Sequence, residues 1–163
     1  MRSHVGHFSD VLSQSVGAET AWPPCADQWN EDNPFWGNCL VATLVFWGDQ
    51  DFKGNLIPCL AGEDELWHFQ YTSPETGLVD LTASQFGGKE DFVYLSKGTK
   101  IYNTVLSESL FNDPSLADRL ALLMERMEDN GYSCKASLGD ILTHIESRYG
   151  SHSFGPAPKT PGL

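Results

Sequence analysis

The stretch from Gly37 to Phe46 constrains the fold more than any other part of the chain. It reads Gly-Asn-Cys-Leu-Val-Ala-Thr-Leu-Val-Phe, and of the seven residues after the cysteine only Thr43 is polar. A helix that is apolar on all sides must be surrounded by protein. The pattern therefore predicts a buried helix that begins at Cys39, after a turn at Gly37 and with Asn38 as its N-cap.

Cys39 would then be the first residue of this helix, where the backbone N–H groups are unpaired and the helix dipole is positive. Such a position favours a thiolate and supplies hydrogen-bond donors to a developing oxyanion. A free cysteine is also a common small core residue. Cys39 is therefore either a nucleophile or a core residue, and the choice depends on which residues elsewhere in the sequence could act with it.

Composition narrows the class of protein. The chain has 163 residues, with 22 acidic and 10 basic side chains and a formal charge of -12. Such an acidic chain should repel nucleic acid and anionic membranes. There is no apolar run of about 18 residues and no signal-peptide pattern, so we expect a cytoplasmic protein without a membrane segment. The four cysteines have neither a Cys-x-x-Cys pair nor zinc-finger spacing, which predicts reduced thiols and no metal or other cofactor.

Three segments follow from the distribution of polar residues. Residues 1–20 are predicted to form a flexible N-terminal arm, or a short helix near Asp10–Ser15. Residues 21–150 should form a single domain of catalytic type. Residues 151–163 are rich in Gly, Pro and Ser and are predicted to be a disordered C-terminal tail.

Within the domain, the pattern indicates an α+β fold. The Trp- and Pro-rich loop 21–36 should lie over the start of the Cys39 helix. A helix over 114–127 is predicted to lie across an antiparallel sheet, since Leu116, Leu120, Leu123 and Met127 form one stripe. Pro58 predicts that the strand Gly54–Leu60 lies at an edge or contains a bulge. The other predicted strands are the hairpin arms Leu66–Tyr71 and Leu78–Leu81, and the short segments Phe92–Leu95 and Lys100–Tyr102.

The predicted hairpin contains two further candidate catalytic residues, a histidine and an aspartate. If its turn is centred on Pro74, His68 and Asp80 lie directly opposite each other on one face, with the apolar residues on the other face. A cysteine at a helix start with such a His–Asp pair is the arrangement of a cysteine hydrolase. The chain order Cys, His, Asp suits a papain-like or transglutaminase-like core, with the nucleophile helix packed on a small antiparallel sheet.

Three blocks carry a resemblance to a known family: W-x-x-x-N-P-x-x-G-N-C-L-V-x-x-L-V, then W-H-F-Q, then V-D-L-T-x-x-Q-F. They resemble the YunG-like family of small bacterial proteins over about residues 21–127. That family is similar to papain-like and transglutaminase-like thiol enzymes, which implies Cys39 as nucleophile, His68 as base and Asp80 as the residue that orients it. Asn38 stands where the family usually has glutamine, so its amide is one methylene shorter.

An oxyanion hole needs a second donor besides the backbone N–H of Cys39. The side-chain amides of Gln28, Asn33 and Asn38 are the candidates, and Asn33 has an equally good role in the turn before Pro34. Gln85 and Thr82 either orient Asp80 or cap the next turn. Trp36 and Trp67 either wall a substrate cleft or pack in the core.

These residues predict a thiol-dependent amide or ester hydrolase or acyl transferase that works through a Cys39 thioester. Peptidase, deamidase and transglutaminase-like reactions all share that intermediate, and the substrate can be a small molecule, a peptide or a protein. The alternative is a non-catalytic acidic binding or inhibitor protein that keeps the fold. A metal site formed by Cys25, Cys39, Cys59 and His68 is a remote third possibility because their spacing is irregular.

Overall fold

The computed structural model describes residues 4–86 and 91–150. It is a mixed α+β structure built on a four-stranded antiparallel sheet with strand order β3-β2-β1-β4. The strands are β1 (Asn55–Ala61), β2 (Leu66–Ser73), β3 (Gly77–Val79) and β4 (Phe92–Tyr94). The α-helices are α1 (His4–Ser15), α2 (Cys39–Asp49), α3 (Lys100–Leu110), α4 (Leu116–Asp129) and α5 (Leu138–Tyr149), and two 3-10 helices span Pro23–Gln28 and Ala83–Phe86.

Helix α2 is the centre of the core, as its apolar sequence predicted. Every residue from Cys39 to Asp49 is buried. The helix packs on β2 and β1 on one side and on α4 and α5 on the other. The aromatic ring of Phe46 lies edge-on to Tyr71 of β2, with ring centroids 5.0 Å apart. Because protein surrounds α2, the position of Cys39 is fixed by the whole core.

The β2–β3 hairpin forms as predicted, but its register differs by two residues. The closing pair is Ser73↔Gly77, and Tyr71 lies opposite Val79. The turn therefore has three residues, and Gly77 follows it with a φ of 67°. The Ser73 hydroxyl accepts the Thr76 N–H at 3.1 Å, which stabilises this longer turn. A shift of two residues leaves every side chain on its predicted face.

Strand β1 lies inside the sheet, so the predicted edge position is wrong. It pairs with β2 along its whole length, including Pro58 opposite Phe69. On its other side β4 pairs only with Cys59, Leu60 and Ala61. Pro58 thus lies where the ladder with β4 ends, and a strand position without an N–H donor is tolerated there.

The N-terminal segment is a packed helix and not the flexible arm predicted for residues 1–20. Phe8 and Leu12 of α1 have no exposed surface, and Phe8 lies edge-on to Phe46 with centroids 5.1 Å apart. Residues four apart on one helical face bury together, which the weak periodicity of the segment concealed. The tail predicted for 151–163 lies outside the described residues.

The helices after the sheet bring two further corrections. Lys100–Tyr102 begins helix α3 and is not a strand, with Thr99 as an N-cap that accepts the Tyr102 N–H at 3.4 Å. Helix α4 exists, and the predicted stripe from Leu116 to Met127 is buried. However, α4 packs on α1, α2 and α5 and does not cross the sheet. None of the helices in 4–86 and 91–150 has the length and apolar character of a membrane span.

Candidate active site

The turn before Cys39 is held close to the neighbouring loop. Gly37 has a φ of 75°, a conformation that glycine adopts without strain. A Cβ at this position would lie 3.0 Å from the Cβ of Cys25 and 3.1 Å from that of Ala21. Gly37 therefore allows both the turn and the close approach that bring Cys39 to the first position of α2.

Asn38 does not act as the predicted N-cap. Its side chain is fully buried, its Oδ1 accepts the Thr20 hydroxyl at 2.6 Å, and its Nδ2 donates to the carbonyls of Gly17 and Trp36 at 3.3 and 3.0 Å. Both amide hydrogens are in use. Asn38 thus ties the loop after α1 to α2 and is not placed to donate to an oxyanion.

The N-terminus of α2 is left without a side-chain cap. The first amide of the helix with an acceptor is that of Ala42, which donates to the Asn38 carbonyl at 3.1 Å. Within the described chain, the N–H groups of Cys39, Leu40 and Val41 have no protein acceptor. Unpaired amides at a helix start bind negative charge. The backbone around Cys39 can therefore stabilise an oxyanion.

His68 and Asp80 form a hydrogen-bonded pair beside this helix start. The His68 ring is fully buried, and its Nε2 lies 2.7 Å from Asp80 Oδ2. Asp80 follows the last residue of β3, Val79, which pairs with Tyr71, so His68 and Asp80 are not the directly opposite strand pair that the sequence predicted. Gln70 Nε2 also donates to Asp80 Oδ2, at 2.9 Å, and the Thr82 N–H donates to Oδ1 at 3.1 Å.

This pairing fixes the tautomer of His68. A carboxylate only accepts hydrogen bonds, so the Nε2 of His68 carries the proton that Asp80 binds. In the neutral ring Nδ1 is then the nitrogen without a proton, and Gln85 Nε2 lies 3.4 Å from it. Two aromatic rings hold the imidazole in place: Phe92 stacks on it with centroids 5.2 Å apart, and Phe86 lies edge-on at 5.0 Å.

The charges of the three side chains are coupled. Burial opposes a charge on the His68 ring, but the hydrogen bonds to Asp80 and Cys39 and their negative charges raise the pKa of His68 to about 9. Burial would raise the pKa of Asp80, yet the hydrogen bond and charge of His68 hold it below its ordinary value. Both directions favour an imidazolium–carboxylate pair. The sulfur of Cys39 lies 4.0 Å from the Trp67 carbonyl oxygen, on the residue before His68.

Cys25, Cys59 and Cys134 are thiols whose pKa is raised. Burial is the main reason why the pKa of Cys59 is raised to about 12 and that of Cys134 to about 11, and the pKa of Cys25 is raised in the same way. All four thiols are free. In the described part of the chain, no group of three or more His, Cys, Asp or Glu side chains is arranged to hold a metal ion.

Cys39 opens onto a cleft with aromatic walls. The Trp22 and Trp67 rings lie nearly parallel, with centroids 6.0 Å apart, and Trp36 packs edge-on to Phe86 at 6.4 Å. At the far end the buried Arg119 forms an ion pair with Asp113 at 2.6 Å. The apolar side chains that line the cleft are Trp22, Trp36, Leu40, Leu66, Trp67, Phe69 and Phe86.

The remaining candidates divide between the cleft and its surroundings. Trp36 and Trp67 lie in the cleft wall. Asn33 donates from Nδ2 to the Gln85 carbonyl at 2.9 Å and is outside the cleft lining. Gln28 is exposed at the end of the first 3-10 helix and does not reach the cleft. Both residues come from a turn-rich segment whose direction depends on long-range contacts.

Gln85 is the site residue that the sequence identified least clearly. Its side chain lines the cleft with Cys39, and its Oε1 accepts the Gly37 N–H at 3.4 Å. Its Nε2 lies 2.9 Å from the Thr82 hydroxyl and 3.4 Å from Nδ1 of His68. The signal was its place in the D-L-T-x-x-Q-F block, five residues after Asp80. No sequence motif identified Trp22 or Arg119 individually as part of the cleft.

Comparison of the chain with known protein families gives one match. The family model described as YunG protein matches residues 4–130. The chain belongs to the YunG protein family. Among curated proteins and among solved structures, nothing matches. The family match covers α1, the Cys39 turn, the whole sheet and α4, and ends one residue before Gly131.

Proposed function

We propose that this member of the YunG family is a thiol-dependent acyl-transfer enzyme in which Cys39, His68 and Asp80 form a catalytic triad. The observation that carries the proposal is the buried His68–Asp80 hydrogen bond of 2.7 Å, next to a cysteine at an uncapped helix start. The chain order Cys, His, Asp suits a papain-like or transglutaminase-like core, with aspartate where papain-like proteases have asparagine. The aromatic cleft in front of Cys39 supplies space for a substrate.

The first half of the reaction forms a thioester. In the resting enzyme that we propose, the proton of the Cys39 thiol has already passed to Nδ1 of His68, which is the charged form that the raised pKa of His68 favours. The Cys39 sulfur then attacks the carbonyl carbon of an amide or ester. The carbonyl oxygen becomes an oxyanion in the tetrahedral intermediate. When this intermediate collapses, the bond from the carbonyl carbon to the leaving nitrogen or oxygen breaks, and His68 returns the proton to the leaving group.

Two groups are suited to bind the oxyanion. The Cys39 N–H has no acceptor within the described chain and belongs to the nucleophile itself. The Gln85 amide lines the same cleft, and the Gly37 N–H fixes its oxygen away from His68 because a backbone amide only donates. Once His68 has accepted the Cys39 proton, its Nδ1 no longer accepts from Gln85 Nε2. That amide hydrogen then becomes available to the oxyanion.

The second half of the reaction sets the type of enzyme. Water activated by His68 hydrolyses the thioester, as in a peptidase, esterase or deamidase, whereas an amine gives a transglutaminase-like product. The same bonds change in both reactions. The bond from the acyl carbon to the Cys39 sulfur breaks, a bond from that carbon to oxygen or nitrogen forms, and Cys39 regains its proton. The alternative, a binding protein that only keeps the fold, assigns no role to the buried hydrogen bond between His68 and Asp80.

Selective alkylation tests the first step. Iodoacetamide at pH 6 should label Cys39 of the native protein at least tenfold faster than the same residue in urea-denatured protein. The raised pKa values of the other three cysteines leave them as poor nucleophiles at this pH. Peptide mapping assigns the label. Native labelling no faster than denatured labelling would contradict an activated thiol.

A further inference from the structure

The rim of the cleft exposes large apolar side chains to water. Trp22 keeps 38% and Leu66 37% of its surface exposed, although both residues are of types that normally bury. Trp22 lies almost parallel to Trp67 on the same side of the cleft. Apolar surface that adjoins a candidate nucleophile marks a binding site for apolar groups of a ligand.

The ionised side chains of the lining neutralise each other. Among the described residues that line the cleft, the charged ones are Asp113 and Arg119, and they are paired at 2.6 Å. The Arg119 guanidinium is further bound by the Thr20 carbonyl at 3.2 Å and the Ser115 hydroxyl at 3.0 Å. Burial would raise the pKa of Asp113, but hydrogen bonds from Ser115 and Arg119 hold it low, so the pair stays ionised.

A charged acyl group would therefore lose its hydration in this cleft without gaining a counter-ion. Anionic groups meet a second obstacle, because the chain carries a formal charge of -12. Neutral apolar groups meet neither cost and cover the exposed aromatic rim. The described lining also holds neutral polar groups, among them the Cys39 N–H, the Gln85 amide and the Ser109 hydroxyl. The first two are the donors assigned above to the carbonyl oxygen of the acyl group.

We infer that the cleft beside Cys39 takes an uncharged, apolar acyl group, so that the substrates are esters, thioesters or amides of hydrophobic carboxylic acids. This inference rests on the proposed function and names its substrate class. In the reaction the acyl group passes from its leaving group to the Cys39 sulfur. The leaving group departs with the proton that His68 took from the thiol.

A series of p-nitrophenyl esters tests the substrate class. The acyl groups are acetyl, butyryl and hexanoyl, with succinyl as the anionic member and betaine as the cationic member. Each acylation rate is divided by the rate with N-acetylcysteine to remove intrinsic reactivity. A fully buried methylene corresponds to about fourfold, so butyryl should exceed acetyl by about tenfold, hexanoyl should exceed butyryl, and both charged esters should be slower than butyryl.

Two variants connect this preference to the cleft. Trp22→Ala should reduce the ratio of hexanoyl to acetyl rates by at least fivefold, because Trp22 is part of the apolar rim. Leu142→Ala is the matched control, since Leu142 is also an exposed large apolar residue but lies on α5 outside the cleft. It should leave the ratio unchanged. Equal ratios in all three proteins would overturn the assignment of the rim.

The outcomes separate the two proposals. Acylation of Cys39 at a rate independent of chain length, or fastest with the betaine ester, would overturn the apolar substrate class and leave the thiol chemistry standing. A parallel series with N-methyl-, N-propyl- and N-hexylmaleimide probes the cleft without acyl transfer. Rates that rise with chain length for maleimides, with no acylation by any ester, would support the apolar cleft and contradict the proposed function.

Discussion

The Gln85 side chain touches both halves of the site. Its amide oxygen faces the turn before Cys39, and its amide nitrogen faces Thr82 and the His68 ring. A residue in this position can act in two ways. It can hold the turn and the imidazole in place, or it can donate to the oxyanion. Alkylation and acylation distinguish these roles, because alkylation by iodoacetamide needs a thiolate but forms no oxyanion.

We expect Gln85→Ala to lower the rate of Cys39 acylation by p-nitrophenyl butyrate about 100-fold, the usual cost of one oxyanion donor. Alkylation by iodoacetamide should change far less. The control is Gln28→Ala, which removes an exposed amide outside the cleft. Equal losses in both reactions of Gln85→Ala would make Gln85 a positioning residue.

Asp80→Asn tests the third member of the triad. The asparagine oxygen can still accept the Thr82 N–H, so the turn after β3 should persist. The free energy of unfolding should fall by about 1–3 kcal/mol, because the buried His68 ring loses its charged partner. The new NH2 group would face Nε2 of His68 and force the proton onto Nδ1, where it blocks transfer from Cys39. Acylation should therefore drop about 10²–10⁴-fold.

The matched control for Asp80→Asn is Asp118→Asn, an exposed carboxylate on α4. It should change neither acylation nor stability. If Asp80→Asn keeps full thiol reactivity and only melts earlier, Asp80 serves the turn and not the histidine. Urea unfolding and the ester burst, measured on the same preparations, supply both quantities.

Cys39, His68 and Asp80 could be chosen as candidates from the sequence because local patterns mark them: the helix start and the alternation of the hairpin. The structure pairs His68 with Asp80, and the catalytic role of the three residues stays a prediction. It misassigned Asn38 because the partners of that amide, Thr20 and Gly17, lie 18 and 21 residues earlier in the chain. The N-cap preference of asparagine depends only on residues that are adjacent to it in the sequence. The alternative partners of a buried amide depend on the tertiary fold.

At the scale of elements, the turn before α2 decides where the nucleophile lies. Gly37→Ala would add both a strained φ and contacts of 3.0–3.1 Å with Cys25 and Ala21. Gly98→Ala is the control, since Gly98 has a φ of 88° but nothing within 4 Å of an added Cβ. We expect a loss of about 1 kcal/mol for Gly98→Ala from backbone strain.

Gly37→Ala should cost about 2–4 kcal/mol in total, since crowding adds to the strain. Urea unfolding measures both variants, and iodoacetamide labelling reports whether the Cys39 thiol has moved. Equal costs for the two variants would show that the approach of Cys25 and Ala21 is loose. In that case the turn would not be what positions α2.

The elements themselves could be predicted only where their pattern is unambiguous. Helix α2 and the hairpin follow from apolar runs and alternation. Helix α3 begins with Ile101 and Tyr102, residue types that favour strands, whereas its buried face at Val105, Leu106, Ser109 and Leu110 has helical spacing. The register of the hairpin could not be predicted because two turn lengths suit this sequence. The observed length places Gly77 in the left-handed conformation directly after the turn.

At the scale of the whole molecule, the residues after the family match belong to the same core. Asp49 at the end of α2 is buried and accepts hydrogen bonds from the Tyr132 hydroxyl and, at 3.1 Å, from the Lys135 N–H. The Tyr149 hydroxyl accepts the Leu56 N–H of β1 at 3.0 Å. Residues 131–150 thus close the core at the end of α2 opposite Cys39.

The raised pKa of His68 makes the stability of the molecule depend on pH. A group whose pKa rises on folding stabilises the folded state fully below its unfolded value, here 6.5, and this stabilisation is lost as the pH rises through the folded value of about 9. One pKa unit corresponds to about 1.4 kcal/mol. The free energy of unfolding should therefore fall by a few kcal/mol between these pH values.

Asp80→Asn provides the comparison for this pH effect, because it removes the main partner that raises the pKa of His68. The wild-type melting temperature should drop between pH 6.5 and 9 by several degrees more than that of the variant. Groups elsewhere titrate equally in both proteins and cancel in the difference. Parallel curves for the two proteins would show that His68 is not charged in the folded state at neutral pH.

Trapping the acyl-enzyme tests the triad most directly. Wild-type protein is mixed with p-nitrophenyl butyrate and quenched in acid, and intact mass and peptide mapping locate the butyryl group. We predict one butyryl group per chain on Cys39 in wild type and in Cys25→Ser. His68→Ala should acylate at least 100-fold more slowly while remaining folded by circular dichroism. Acylation of Cys39 at the same rate in wild type and His68→Ala would contradict the triad.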